Sequence, residues 1–342
     1  MIVIGSGNTG GKLASKLDSR ALIFSTAHED TNNFPHSNVV VISNEGASKR
    51  FHKGAKIWKE NFETVRASLE NVKNDKVVIF SSLGGGSGSS SLVPLSKVLL
   101  ENNNKVLIVG IIPYSKENNP PLANAVNCIN SIMPLISKIS VLLFDNQKLI
   151  KKFSNDWSQI NHYIVKRLDY ILNILRKYNT DNYSPMTLDQ SELDSVVFGG
   201  GFVDLSDSFL EEKLPKFEYG KLDKDTKNCL VAMFIDNKIQ EHEKLDEYQG
   251  TLTQVVSKLS GRAKNARMIP GILRASLNFT NAEEVEAEDR VYITIASGLS
   301  IDRYMKKIQK LRDSAIEKAT HFSEKIEGSK ILDSKESKML DI

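Results

Sequence analysis

The stretch Val77-Val78-Ile79-Phe80-Ser81-Ser82-Leu83-Gly84-Gly85-Gly86-Ser87-Gly88-Ser89-Ser90-Ser91 decides the fold class. Its β-branched and aromatic start, residues 77–80, predicts a buried parallel strand. Apolar residues that recur at helical spacing over residues 92–100 predict a helix, with Pro94 in its first turn. A strand, a glycine-rich loop and a helix N-terminus together form a geometry that binds phosphate, because inward-turned N–H groups attract an anion. The loop lacks the Gly-Lys-Ser/Thr ending of a Walker P-loop, which disfavours that class of nucleotide hydrolase.

A second glycine loop, Gly5-Ser6-Gly7-Asn8-Thr9-Gly10-Gly11, follows a predicted strand over residues 2–4. Its G-x-G-x-x-G spacing is compatible with dinucleotide binding, which needs an acidic residue about 20 positions on, at the tip of the second strand. Polar residues follow that strand instead, and the nearest acids, Glu29 and Asp30, come too late. A monomeric Rossmann-type nucleotide-dependent enzyme, such as a dehydrogenase, is therefore the weaker alternative.

Further apolar runs predict strands over residues 39–42, 105–113 and 140–144, and periodic segments predict helices over 57–72 and 124–136. Continuous apolar strands are typical of a parallel sheet that is covered on both faces. Strands that alternate with helices predict a doubly wound α/β domain in this half of the chain.

Composition excludes several classes of protein. The chain has 342 residues, 45 basic and 42 acidic side chains and a formal charge of +3, a balance that does not by itself imply a nucleic-acid or membrane surface. Its two cysteines, Cys128 and Cys229, lie in apolar stretches without metal-ligand spacing, which predicts buried thiols of a reducing compartment. No apolar run reaches the roughly 20 residues of a membrane helix, and a strand is predicted from the first residues. We therefore expect a soluble cytoplasmic protein with no membrane partner.

The loop over residues 84–89, Gly-Gly-Gly-Ser-Gly-Ser, resembles the tubulin signature loop GGGTGSG, with serine in place of threonine. The chain is identified on this basis as a member of the tubulin/FtsZ superfamily, most similar to bacteriophage tubulins of the PhuZ kind and plasmid TubZ-like proteins. The resemblance implies an α/β fold with a Rossmann-like parallel-sheet GTPase domain, a central helix, a smaller α/β second domain, and a long C-terminal helix and tail. The corresponding expected boundaries are 1–154, 155–180, 181–299 (with the catalytic loop), 300–330 and 331–342.

The same resemblance implies GTP and GDP as ligands, with Mg²⁺ at the phosphates and no metal-ligating side chains assigned. The base would lie against Asn146 and Asn161, and the ribose against Glu117. The position after the first glycine loop where the family often has asparagine holds Lys12. The phosphates would lie against three loops, formed by Gly7, Asn8, Thr9, Gly10 and Gly11, by Gly46, Ala47 and Ser48, and by Gly84, Gly85, Gly86, Ser87, Gly88 and Ser89.

The segment Leu188-Asp189-Gln190-Ser191-Glu192 is similar to the Leu-Asp-x-x-Asp pattern of the family, with glutamate as the second acid. Carboxylates three positions apart at a helix start project to the same side. The resemblance implies that Asp189 and Glu192 enter the nucleotide pocket of the next subunit and polarise the attacking water. The alternative from the residues alone is a helix N-terminus stabilised by acids, with Asp189 as its cap, and both roles are compatible.

We therefore expect a polymer-forming GTPase whose filaments position or segregate phage or plasmid DNA. An FtsZ-like cell-division GTPase is the alternative of the same class. The expected partners are other copies of the chain, with an adaptor or a DNA or virion cargo that the sequence does not identify. In the second half, residues 196–198 are expected to open a strand, Gly199 to Gly201 to allow close backbone approach, and residues 204–228 to be loop-rich.

Overall fold

The computed structural model describes residues 1–32, 34–35, 38–114, 119–177, 179–180, 186–206, 215–236, 245–275 and 290–314. Over these residues the strands form one eleven-stranded sheet in the order β3-β2-β1-β4-β5-β6-β8-β11-β9-β10-β7. The strands are β1 Ile2–Ser6, β2 Leu22–Ser25, β3 Val39–Val41, β4 Lys76–Ser82, β5 Lys105–Ile112, β6 Ile139–Asp145, β7 Asn179–Thr180, β8 Gly201–Leu205, β9 Asn228–Asp236, β10 Arg267–Ala275 and β11 Arg290–Ser297.

The helices connect these strands and cover the sheet. They are α1 Gly7–Leu17, α2 Phe51–Glu60, α3 Phe62–Ser68, α4 Ser87–Glu101, α5 Asn119–Ile132, α6 Asn146–Lys152, α7 Trp157–Lys177, α8 Gln190–Val197, α9 Leu245–Ser260 and α10 over residues 302–314. Two hydrophobic clusters occupy the two faces of the sheet, with alternate residues of β4 such as Val77 and Val78 in different clusters. The expected α/β fold with a doubly wound parallel sheet is confirmed.

Strands β1 to β6 are all parallel, so their carboxyl ends lie along a single edge of the sheet. We call this the carboxyl edge and the opposite one the amino edge. Strand β8 pairs with β6 in parallel and continues the sheet into the second half. There β11 lies antiparallel between β8 and β9, while β9 and β10 are parallel to each other. Every loop that follows one of the six N-terminal strands therefore lies at the carboxyl edge.

Three expectations about local structure are wrong. Helix α4 begins at Ser87, inside the glycine–serine loop, so Pro94 lies in the helix interior and not in its first turn. The predicted helix over residues 57–72 is two helices, because Asn61 leaves helical geometry and its side-chain amide donates to the Ile57 carbonyl at 2.9 Å. Residues 196–198 end helix α8 instead of opening a strand.

The glycines after α8 fit the expected close backbone approach. Gly200 and Gly201 have φ values of +82° and +95°, which side chains rarely adopt. A Cβ at Gly201 would lie 2.6 Å from the Cα of Gly298. The turn therefore brings β8 against the end of β11.

Part of the region expected to be loop-rich is a buried polar centre. Asp204 is 2% exposed, and its carboxylate accepts the N–H groups of Leu205 at 2.8 Å, Glu218 at 2.7 Å and Tyr219 at 3.1 Å. The Arg167 guanidinium on α7 lies 3.6 Å away. Burial raises the pKa of Asp204 to about 6, against the opposing effects of Arg167 and the backbone donors. Periodicity does not reveal this centre, because its partners are far apart in sequence.

Candidate nucleotide site and a separate acidic pair

Three loops meet at the carboxyl edge, after β1, β3 and β4. Gly7 has a φ of +67°, and a Cβ there would lie 3.2 Å from the amide nitrogen of Gly88. A Cβ at Gly86 would lie 2.8 Å from the amide nitrogen of Arg50, in the turn after β3. The signature loop therefore packs backbone to backbone against both other loops, which is the arrangement that a shared cradle of N–H groups requires.

The serine hydroxyls of the signature loop are used inside the protein. Ser87 Oγ accepts the Thr26 N–H at 3.0 Å, and the Ser87 carbonyl accepts the indole N–H of Trp58 at 3.1 Å. The next three serine hydroxyls donate to carbonyls of the preceding turn, Ser89 to Gly85, Ser90 to Gly86 at 2.6 Å and Ser91 to Gly88 at 2.7 Å. The backbone amides in the first turn of α4 are therefore the groups left for an anion.

The buried polar atoms at this edge include two that lack a hydrogen-bond partner among the described residues and belong to or adjoin predicted nucleotide residues. They are Oγ1 of Thr26, directly after β2, and Oδ1 of Asn146, the first residue of α6. A buried acceptor without a partner costs free energy of the order of 1–3 kcal/mol, which a ligand would recover. Asn146 follows the helix cap Asp145, whose side chain accepts the Gln147 N–H at 2.8 Å.

The other predicted nucleotide residues take varied positions. Asn161 lies half-buried near the start of α7, while Asn8, Thr9 and Lys12 are exposed on the first turns of α1. Glu117 lies outside the described residues. Sequence analysis missed Trp157, a large aromatic that is 48% exposed. It precedes Asn161 by one helical turn on the same face, and this i, i+4 spacing could have indicated it.

The turn after β3 contains Gly46, Ala47 and Ser48 and leads into α2. Ser48 and Lys49 have φ values of 49° and 56°, a left-handed conformation that is uncommon for residues other than glycine. Lys49 and Arg50 are exposed cations beside the signature loop. Positive charge at this point would offset the charge of a bound phosphate.

Asp189 and Glu192 form a reciprocal capping box at the start of α8. Asp189 Oδ1 accepts the Glu192 N–H at 2.8 Å, and Glu192 Oε2 accepts the Asp189 N–H at 3.2 Å. The Ser191 hydroxyl donates to Asp189 Oδ1 at 2.7 Å, and these hydrogen bonds lower the pKa of Asp189. The Arg267 guanidinium lies 4.0 Å from Glu192 Oε1. The expected cap is confirmed, and Asp189 remains exposed and ionised at neutral pH.

The acidic pair and the glycine loops lie at opposite edges of the sheet. Helix α8 is attached to the amino edge by an ion pair of 2.6 Å between Asp194 and Lys76, the first residue of β4. The signature loop follows the last residue of the same strand. Seven extended residues span about 20 Å, so the acids of one chain lie far from its own glycine loops.

Among the described residues, no three His, Cys, Asp or Glu side chains are grouped closely enough to hold a metal ion. None of the described helices combines the length and hydropathy needed to cross a bilayer. Both cysteines are buried free thiols, as expected.

A mostly parallel sheet with three converging glycine and polar loops, and no Walker motif, is an arrangement suited to binding phosphate groups. Residues 2–154 match the Tubulin/FtsZ family, GTPase domain. These residues, which contain the loops after β1, β3 and β4, are therefore similar to the GTPase domain of that family.

Relatives share sequence similarity with part of the chain, and solved structures share its fold. The chain is 28% identical over 211 residues to the tubulin-like protein TubZ of Bacillus cereus. The match covers 56% of this chain and 48% of that protein. The match thus spans about half the length of this relative. Among solved structures, the GTPγS-form protofilament of Bacillus thuringiensis serovar israelensis TubZ has a TM-score of 0.74 at 15% identity, covering 95% of this chain and 94% of that one. The GTPγS-bound protofilament of Haloferax volcanii CetZ2 has a TM-score of 0.68 at 20% identity, covering 93% and 99%.

Proposed function

We propose that this chain binds GTP and GDP, hydrolyses GTP, and assembles head to tail into filaments in which each active site is shared by two subunits. The glycine loops of one subunit hold the phosphates. Asp189 and Glu192 of the subunit stacked on it orient and polarise the attacking water. The burden of the reaction is positioning and electrostatic stabilisation, as in other phosphoryl transfers.

The observation that carries this proposal is the separation of about 20 Å between the signature loop and the acidic pair along β4. A single chain does not bring its own acids to its own loops without breaking the ion pair at the amino edge. Stacking the amino edge of one copy on the carboxyl edge of the next brings the two together. Such a head-to-tail contact repeats without closing, and it therefore generates filaments.

The residues at the carboxyl edge fit a guanine nucleotide with its magnesium ion. The free amides of α4 suit phosphate oxygens, and the unpartnered Oδ1 of Asn146 can accept a hydrogen bond from the base, with Asn161 and Trp157 near the start of α7 as further contacts. Because no group of acidic or imidazole ligands lies there in the described residues, Mg²⁺ would be held chiefly by phosphate oxygens, next to hydroxyls such as that of Thr26. When bound, the ion would neutralise charge on the phosphates.

Mixing two inactive variants tests the shared site. Asp189→Asn removes the charge but keeps a good helix cap. Gly85→Asp places a negative charge in the signature loop, where a Cβ has no closer neighbour than the Ser82 carbonyl at 3.9 Å, so the fold should tolerate it. Each variant alone should hydrolyse little GTP. In an equal mixture, intact loops meet intact acids at about a quarter of the junctions, and turnover should reappear at up to about that fraction.

Three outcomes would contradict the proposal. An inactive mixture beside an active wild-type chain would argue against a shared site. Wild-type turnover per molecule that does not rise with protein concentration would argue against assembly-dependent hydrolysis. Absence of guanine-nucleotide binding would remove the whole function and favour the monomeric Rossmann-type alternative, which the family match otherwise disfavours.

We further propose that the filaments position or segregate phage or plasmid DNA, a role that only the resemblance to phage and plasmid tubulins supports. The domain boundaries at residues 154, 180, 299 and 330 remain part of this proposal. Co-sedimentation of GTP-assembled filaments with plasmid or phage DNA, with and without candidate adaptors, tests the cargo. Filaments that instead remodel membranes with cell-division partners would favour the FtsZ-like alternative.

A further inference from the structure

A buried amide on α5 links two of the three loops at the carboxyl edge. Asn124 is 5% exposed. Its Nδ2 donates to the Lys49 carbonyl at 2.8 Å and to the Gly84 carbonyl at 2.9 Å, and its Oδ1 accepts the Phe51 N–H at 3.1 Å. Both N–H groups and the carbonyl oxygen of this one side chain are therefore used between the turn after β3 and the signature loop.

The turn that Asn124 holds is backbone-strained. Ser48 and Lys49 are consecutive non-glycine residues in the left-handed region, a conformation that persists only where the surroundings impose it. The Arg50 N–H donates to the Ala47 carbonyl at 2.9 Å and closes the turn. Two of the three hydrogen bonds of Asn124 hold the C-terminal side of this pair, at the Lys49 carbonyl and at the Phe51 N–H two residues later.

We propose that Asn124 is a positioning residue that couples the turn over residues 47–51 to the signature loop and thereby sets the preference for GTP over GDP. The inference rests on the proposed GTP binding and on the resemblance to tubulins, which implies that the turn after β3 approaches the terminal phosphate. With the amide in place, the turn is held ready for that phosphate before the nucleotide arrives. Without it, part of the binding free energy of the terminal phosphate is used to order the turn. GDP lacks this phosphate, and its affinity therefore does not depend on the turn.

The side-chain chemistry explains why an amide is suited to this position. It donates two hydrogen bonds and accepts at least one from a single buried group. A carboxylate of the same shape would face the carbonyls of Lys49 and Gly84 with no donor for either. An apolar side chain would leave these two carbonyls and the Phe51 N–H without their buried partner.

The chain contains a matched control in Asn104, at the amino edge. Asn104 is 4% exposed, its Nδ2 donates to Val72 and Leu99 carbonyls at 2.8 and 3.0 Å, and its Oδ1 accepts the Asp75 N–H at 2.9 Å. It makes the same three kinds of hydrogen bond as Asn124, but it lies at the other end of β5 from the nucleotide loops. Asn104→Ala therefore removes equivalent bonds without touching either loop.

The experiment compares the affinities of the full-length wild type, Asn124→Ala and Asn104→Ala for GTPγS and for GDP by calorimetry, below the concentration at which filaments form. We expect Asn124→Ala to lose about tenfold more affinity for GTPγS than for GDP, and Asn104→Ala to keep the wild-type ratio. Hydrogen exchange of the peptide over residues 47–54 should be slowed by GTPγS in the wild type and in Asn104→Ala, and not in Asn124→Ala.

An unchanged GTPγS-to-GDP ratio in Asn124→Ala, or an equal fall of the ratio in both variants, would overturn the proposal. If Asn124→Ala does not fold, Asn124→Ser keeps one donor and adds no charge, and the same ratio decides. A wild-type chain that binds neither nucleotide would instead refute the proposed function itself. The two failures are therefore distinguishable.

Discussion

The two ends of strand β4 use opposite chemistry. At its carboxyl end lie glycines, backbone amides and hydroxyls packed against two other loops, with the exposed cations Lys49 and Arg50 at the rim. At its amino end, Lys76 holds a helix whose first turn exposes a carboxylate. An amide cradle binds an anion but does not activate water, and a carboxylate does the reverse. The fold holds the two ends apart, and on the proposed function neither end is an active site alone.

The largest effect is expected from a substitution that removes the carboxylate charge at the amino end. Asp189→Asn should lower GTP turnover per assembled subunit by about 10²–10⁴, the range for loss of a group that takes part in proton transfer. Helix α8 should persist because asparagine caps as well as aspartate. Phosphate release measures the turnover, and sedimentation measures the amount of assembled protein.

Ser191→Ala is the control for this prediction, since it removes the hydroxyl that donates to Asp189 Oδ1 and leaves the carboxylate in place. Its turnover should stay close to that of the wild type. Equal losses in both variants would mean that disturbance of the cap, and not loss of charge, explains the effect.

The second prediction concerns a buried charge near the carboxyl edge that we expect to stabilise the fold and not to bind the nucleotide. Asp204 lies near the carboxyl end of β8 and is buried against Arg167. Asp204→Ala would remove the carboxylate that faces a guanidinium only 11% exposed, together with the acceptor of the Glu218 and Tyr219 N–H groups. We expect a cost of about 3–5 kcal/mol of stability. We expect a large shift of the urea-unfolding midpoint. A folded variant with normal stability would show that the centre around Asp204 is not structural.

The pH dependence of this centre has a definite sign. Because burial raises the pKa of Asp204 to about 6, the folded chain binds this proton more tightly than the unfolded chain. The stability of the wild type relative to Asp204→Asn should therefore rise as the pH falls from neutrality through 6 towards the ordinary value of 3.8. Unfolding curves of both proteins across this range check it, and a relative stability that falls would contradict it.

The strand pattern predicted the α/β fold, and the glycine runs predicted the loops after β1 and β4. Both predictions succeed because they depend on local runs of residues. The start of α4 at Ser87 was missed because serines and glycines are poor helix formers, and here tertiary contacts such as that of Trp58 with the Ser87 carbonyl fix the turn. Asn124 and Asp204 were missed because each acts through partners far away in sequence. The resemblance, and not the residue pattern, pointed to Asp189 as more than a cap.

A smaller effect concerns the attachment of α8 to the amino edge. Lys76→Met would leave Asp194, whose side chain is 10% exposed, without its ion-pair partner and should cost about 1–3 kcal/mol. The Gln190 amide still donates to Asp194 Oδ1 at 2.9 Å, which limits the loss. If α8 depends on this ion pair, turnover should fall while nucleotide affinity is kept. Lys105→Met, at the exposed start of neighbouring β5, is the control.

The smallest effect distinguishes the two acids. Both carboxylate oxygens of Glu192 already face protein groups, the Asp189 N–H and the Arg267 guanidinium. In Asp189, the Glu192 N–H and the Ser191 hydroxyl both donate to Oδ1, and Oδ2 takes no part in these two hydrogen bonds. Glu192→Gln keeps the capping box, so stability should change by only a few tenths of a kcal/mol. Turnover should fall by about tenfold, far less than in Asp189→Asn, because Glu192 has less freedom to approach a neighbour's water. Equal losses in the two variants would mean that the acids act as one unit, and that docking of the next subunit rearranges the capping box.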